Sequence, residues 1–141
     1  MYKQLLQQWN KRNAGGMAGL FAENGTLIGF DGSQLSGQKE IYTVLDEVFA
    51  NHPTAAYVSI IKEVRPLAPG SLMLLAVVGM VAEGQTDISP AVNALQTLIV
   101  ITENDQPRIA LFQNTPAAFH GRPELTEQLN ADLRAALGAG N

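Results

Sequence analysis

The chain has 141 residues, 46% hydrophobic and 16% charged, which is enough apolar material for one domain with a substantial core. Nine basic against thirteen acidic residues give a net charge of −4, so no phosphate-neutralising surface is implied and nucleic acid is not an expected partner. The absence of cysteine excludes disulfides and thiolate chemistry, and the longest apolar run, Leu72 to Ala82, is too short to span a bilayer. The start Met1-Tyr2-Lys3-Gln4 lacks the apolar stretch of a signal peptide. A single soluble, cytoplasmic domain over residues 1–141, with no membrane partner, is the expectation.

Tyr2, Leu5, Leu6 and Trp9 recur on one face of a first helix, with Lys3, Gln7 and Lys11 opposite. Asn13-Ala14-Gly15-Gly16 interrupts it, and a short second helix fits Met17, Leu20 and Phe21. Glu23-Asn24-Gly25 reads as a turn, Thr26 to Phe30 as a first strand, and Asp31-Gly32-Ser33 as another turn. Ile41, Val44, Leu45, Val48 and Phe49 mark one buried face of a third helix, with Ser36 as its expected N-cap and His52-Pro53 as its stop.

From Ala55 the texture changes. Tyr57 to Val64, Ser71 to Glu83, Ala91 to Thr102 and Arg108 to Thr115 are four apolar segments, and their short connections suit antiparallel neighbours. Leu72 to Ala82 is apolar on both faces, which predicts a sheet covered twice: by the helices on one side and by a second subunit on the other. A last helix carries Leu125, Leu129, Leu133 and Leu137, with Pro123 near its start and Gly138 at its end. The expected architecture is α+β, a curved antiparallel sheet wrapped around helices on one face, forming a cone with an internal pocket.

Gly19-Leu20-Phe21-Ala22-Glu23-Asn24-Gly25-Thr26-Leu27 resembles the "LFA-D-G-T" segment of nuclear transport factor 2-like proteins, and Ser36-Gly37-Gln38-Lys39-Glu40-Ile41 resembles their "G-x-x-x-I" lead-in to the third helix. That superfamily, of cystatin-like fold, includes ketosteroid isomerase, scytalone dehydratase, SnoaL-like polyketide cyclases and a kinase association domain. His52-Pro53-Thr54-Ala55-Ala56-Tyr57-Val58 and Leu111-Phe112-Gln113-Asn114-Thr115-Pro116-Ala117 are similar to a bacterial branch associated with enediyne biosynthesis and labelled oxidoreductase. The isomerase triad does not carry over. Its base position falls on Gly29, its tyrosine near Gln8 or Trp9, and its acidic oxyanion donor near Gln96 or Leu98. Pro107 stands where relatives have a tryptophan after the last hairpin.

Two histidines, His52 and His120, are too few for a histidine metal site, and no metal or other cofactor is implied. Asp31 is the acid/base candidate: two residues beyond Gly29, it shares that position's strand face. In an apolar pocket it would act as general base; alternatively it is a turn aspartate bonding its own backbone. Ser59, Glu63, Glu83, Asn93, Gln96, Gln113 and Asn114 are polar residues in apolar strands, with Asn93 opposed to Gln96 and Gln113 to Asn114 by parity. Trp9, Phe21, Phe30, Tyr57, Met80 and Phe112 are the candidate lining, with Gln96, Asn114 and His120 as polar contacts; such apolar residues are more often plain core, because burial alone explains them. Two functions remain open: a small apolar-ligand binding or converting domain, with proton transfer or cyclisation as its concrete chemistry, and a non-catalytic homodimeric association or carrier module. A homodimer through the outer sheet face is expected for either.

Overall fold

A computed structural model describes residues 1–140. In chain order the elements are α1 (Tyr2–Asn10), α2 (Ala14–Ala18), β1 (Phe21–Ile28), β2 (Gln34–Ser36), α3 (Gln38–Asn51), β3 (Ala56–Ala68), β4 (Ser71–Val81), β5 (Ala94–Glu103), β6 (Gln106–Pro116) and α4 (Pro123–Gly138), with a 3-10 turn at Pro90–Val92. The six strands form one open sheet in the order β2-β1-β6-β5-β4-β3. Strands β3 to β6 are the expected antiparallel meander, while β1 runs parallel to β6. The fold is α+β, as the sequence predicts.

Local chemistry sets the boundaries. Asn13 caps α2, its side chain accepting the Gly16 N–H at 2.9 Å. Helix α3 buries Ile41 and Leu45 and stops at His52, held extended before Pro53. Its N-cap is Gly37 rather than Ser36, because the backbone there needs φ 93°. The Ser36 N–H instead donates to Glu40 Oε2 at 2.9 Å.

Two other boundaries differ from the sequence expectation. Glu23-Asn24-Gly25 is not a turn: β1 starts at Phe21 and carries these residues as an irregularity against β6. The register moves from Phe21↔Ile109 to Thr26↔Leu111, five positions on β1 against two on β6. A Cβ on Gly25 would lie 2.6 Å from the Ile109 carbonyl oxygen, so the glycine is required by close backbone approach. Strand β3 also runs on through Arg65 and Pro66 to Ala68. It is an edge strand, where a residue without an N–H loses no ladder bond.

The helices do not all lie on one face, and this corrects the expectation. Helices α1–α3 cover the face of Leu74, Ala76, Leu98, Val100 and Phe112. Helix α4 packs on the opposite face, where Leu129 and Leu133 meet Val58 and Val77. Gly79 makes room for it, since a Cβ there would approach Leu133 Cδ1 to 3.1 Å. Part of the second cover predicted for β4 is therefore this chain's own last helix. The interior enclosed by α1–α3 is filled: Leu5, Phe21, Ile41 and Ile109 are fully buried, and Leu98 and Phe112 nearly so. No described helix is long and apolar enough to cross a membrane.

Gly25→Ala is expected to cost about 1–3 kcal/mol, as overpacking against fixed backbone does. Leu133→Ala is expected to cost about 2–5 kcal/mol by leaving a cavity under α4. Urea denaturation of each variant measures both losses.

Candidate functional site

Because the interior is packed, space for a ligand lies at its side. A groove of about 480 Å³ opens between α1 and the edge strand β3. Lys3, Leu6, Gln7 and Asn10 form its helix wall, at the spacing of a single helix face. Tyr57, Ser59, Ile60 and Ile61 form its strand wall, and Gly140 closes one side. The helix is pinned to the strand's start: Asn10 Oδ1 accepts the Tyr57 N–H at 2.9 Å, and Trp9 Nε1 donates to the Ala55 carbonyl at 2.8 Å. The Tyr57 N–H therefore points away from β4, and by antiparallel alternation so do those of Ser59 and Ile61.

Behind the groove lies a buried chain of hydrogen bonds. The Tyr2 hydroxyl donates to Gln96 Oε1 at 2.5 Å, Gln96 Nε2 to Asn114 Oδ1 at 2.8 Å, and Asn114 Nδ2 to the Ile28 carbonyl at 3.4 Å. Gln96 and Asn114 are register partners on neighbouring strands, so both amides face α1. Burial pushes the Tyr57 phenol up to about 12, partly offset by the Gln96 side chain beside it. Burial likewise raises Tyr2, while the Ser59 hydroxyl beside it acts in the opposite direction.

The sequence candidates distribute unevenly around this arrangement. Tyr57 lines the groove, and Gln96 and Asn114 form the network behind it. Phe21 and Phe112 are core, fully packed away from the groove. Trp9 packs edge-on against Phe49, with ring centroids 5.3 Å apart, and at 5.4 Å on Tyr57; Met80 is the register partner of Tyr57. Phe30 and His120 are exposed, outside the groove.

Asp31 requires the clearest correction. It lies in the exposed turn before β2, where its Oδ1 accepts the Ser33 N–H at 2.9 Å. That bond holds its carboxyl below the usual range, the reverse of the upward shift a buried base needs. The strand ends at Ile28, so the alternation expected to carry Asp31 inward stops before reaching it. Among the described residues, no group of three metal-ligating side chains converges anywhere.

Parity placed the strand amides correctly. Asn93 lies under α4, its Nδ2 donating to Asn130 Oδ1 at 2.6 Å, on the face opposite Gln96. Sequence reasoning did not assign the helix wall or Tyr2 to a site. The recurrence of Lys3, Gln7 and Asn10 beside the apolar Tyr2, Leu5 and Leu6 face was the available signal.

No protein-family model and no curated protein matches the chain. Solved structures do. A domain of unknown function with a cystatin-like fold from Nostoc punctiforme aligns over 98% of this chain and 92% of its own, at 24% identity and a TM-score of 0.78. An NTF2-like protein of unknown function from Shewanella oneidensis aligns over 81% and 92%, at 17% identity and 0.66. The chain has the nuclear transport factor 2-like fold. A ketosteroid isomerase-like protein from Erwinia carotovora also matches this fold, over 83% and 91% at 14% identity and a TM-score of 0.63. The names of these neighbours do not bear on the enediyne-associated branch.

Tyr2→Phe is expected to destabilise the protein by about 1–3 kcal/mol, since Gln96 Oε1 loses its buried donor; urea titration measures this. Raising the Tyr57 pKa above its ordinary 10.0 makes its protonated form a source of stability, complete below pH 10 and lost as pH rises toward 12. Tyr57→Phe therefore flattens the alkaline fall in melting temperature over that window, as read by circular dichroism.

Proposed function

We propose that this nuclear transport factor 2-like domain binds a small apolar molecule in the groove between α1 and β3. The observation that carries the reading is the groove itself: about 480 Å³, within the ordinary range of ligand sites, with Ser59 and Tyr57 backed by a buried amide network. Such a site fixes a carbonyl or hydroxyl group beside the apolar side chains of Leu6 and Ile61. A ketosteroid isomerase-like protein shares the fold, which is in keeping with a ligand-binding or converting domain.

Binding fits this arrangement better than conversion by proton transfer or cyclisation. No carboxylate or imidazole side chain lines the groove among the described residues, and Asp31 lies outside it. The neutral phenol of Tyr57 is a hydrogen-bonding group at physiological pH and a poor proton acceptor.

A second observation favours a homodimer. Helix α4 contacts β3 and β4, and the outer face of β5 and β6 is left with exposed Leu95 and half-buried Ile99, Ile101 and Leu111. A second copy covering that face matches the expected subunit interface. A candidate calcium/calmodulin-dependent protein kinase type II association domain from Thiobacillus denitrificans shares the fold over 82% of this chain and 90% of its own, at 14% identity and a TM-score of 0.71. It supports the association reading as a companion to ligand binding.

Native mass spectrometry of the purified chain tests both readings. A dimer carrying a discrete extra mass that leaves on unfolding is the expected result. Ser59→Trp, which fills the groove, removes the extra mass and leaves the dimer; Leu95→Asp gives a monomer. A strict monomer at micromolar concentration overturns the interface, and extra mass retained in Ser59→Trp overturns the groove.

A further inference from the structure

The groove does not end at Ile61. Strand β3 carries a one-residue bulge after it, with Ile61 opposite Ala76 and Glu63 opposite Leu75. Beyond the bulge Val64 pairs with Leu74 and Pro66 with Leu72, and Ala76 and Leu74 both belong to the core under α1–α3. Ile61, Val64, Pro66 and Leu72 therefore share the groove's sheet face. The helices stop short of this end, leaving Ile61, Val64 and Leu72 exposed at 42%, 56% and 36%. The same face ends in an apolar depression of about 630 Å³ between Leu72, Val100 and Pro107. From the Ser59 pair to the Pro66 pair is six steps along β4, about 20 Å at the usual strand rise.

The two ends differ chemically. At the α1 end stand the Lys3 ammonium, the Gln7 and Asn10 amides, and the Ser59 hydroxyl with its outward main-chain N–H, and no acidic side chain. Beyond Ile61 the depression at the end of this face is lined by apolar residues and glycine apart from Ser71 and Thr102 at its rim. An added peptide strand is a poor occupant, since the bulge breaks the ladder and Pro66 offers no donor.

We propose that the groove's ligand is an elongated amphiphile, its anionic or acceptor-rich end at Lys3 and Ser59 and its apolar body along Ile61, Val64 and Leu72. This rests on the groove being a ligand site. The length of the apolar track then selects long-chain over compact ligands, because burial of each added methylene strengthens binding.

The test titrates the full chain with palmitate and with hexanoate, which share a carboxylate head and differ in the body. Trp9 is the only tryptophan and packs against Tyr57, so its fluorescence reads occupancy of the polar end; calorimetry reads affinity. Palmitate is expected to bind at least about tenfold more tightly than hexanoate. Val64→Asp, an exposed change that leaves the core intact, is expected to remove that advantage without altering the hexanoate response. Lys3→Glu weakens both. Equal affinity for the two acids, or a palmitate affinity indifferent to Val64→Asp, overturns the elongated ligand while the groove stands. Absence of both heat and Trp9 response with either acid overturns this assignment, and extra mass that survives Ser59→Trp separately overturns the groove. If Val64→Asp changes the subunit count of the ligand-free protein, the track is a protein contact and the proposal fails.

Discussion

Helix α1 has nine residues, too few to persist as a helix in water on local interactions alone. Its position is therefore set by what it touches, and the groove exists because of where it is held. At its C-terminal end Trp9 and Asn10 bond the main chain of Ala55 and Tyr57, and Arg12 reaches the Thr54 carbonyl at 2.9 Å. At its N-terminal end the Tyr2 hydroxyl is tied to Gln96, two strands away from the edge. Between these anchors Leu5 and Leu6 are buried, while Lys3, Gln7 and Asn10 are left along the edge strand. One side of a short helix thus closes the core, and the adjoining side makes a wall.

The edge strand has the complementary problem. The open side of a thirteen-residue edge strand invites another strand, and β3 is protected in segments. Asn10 occupies its first outward N–H, the bulge after Ile61 interrupts the middle, and Pro66 removes a donor near the hairpin. Lys62, Glu63 and Arg65 add charge between the apolar residues. What survives is a side-chain surface, apolar and open, without a continuous ladder to extend. Protection of the backbone and exposure of Val64 and Leu72 are compatible only because they involve different atoms of the same strand.

Periodicity made most of this fold legible. Helix α3, the four meander strands and α4 were readable because each keeps one period over ten or more residues. The failures share a cause: tertiary contact overrode local preference. Glu23-Asn24-Gly25 carries turn chemistry, yet close approach to Ile109 draws it into β1. Helix α4 has an apolar face like the others, and nothing in its own residues says which side of the sheet receives it; the close approach that accommodates Leu133 is at Gly79, on β4. The candidate site was legible only in part. Parity correctly opposed Gln96 to Asn93, but Phe21 and Phe112 read identically as lining or core, because burial is the same property in both cases. Tyr2 was seen as a helix-face residue, since its partner lies 94 positions away.

The buried network also bears on what kind of chemistry the site accommodates. From Tyr2 through Gln96 and Asn114 to the Ile28 carbonyl, each donor points the same way, and the last acceptor is a main-chain oxygen that takes no proton. Amides relay orientation but do not release or capture protons at ordinary pH. The chain of bonds therefore fixes the Tyr2 phenol and the strand amides in place without giving a reacting group anywhere to send a proton. Tyr57 adds a phenol whose burial extends its neutral range further into alkaline pH, and no carboxylate or imidazole side chain lines the groove among the described residues. Hydrogen-bonding groups fixed in this way are what the proposed binding role calls for, since they orient a bound carbonyl or hydroxyl without exchanging protons with it.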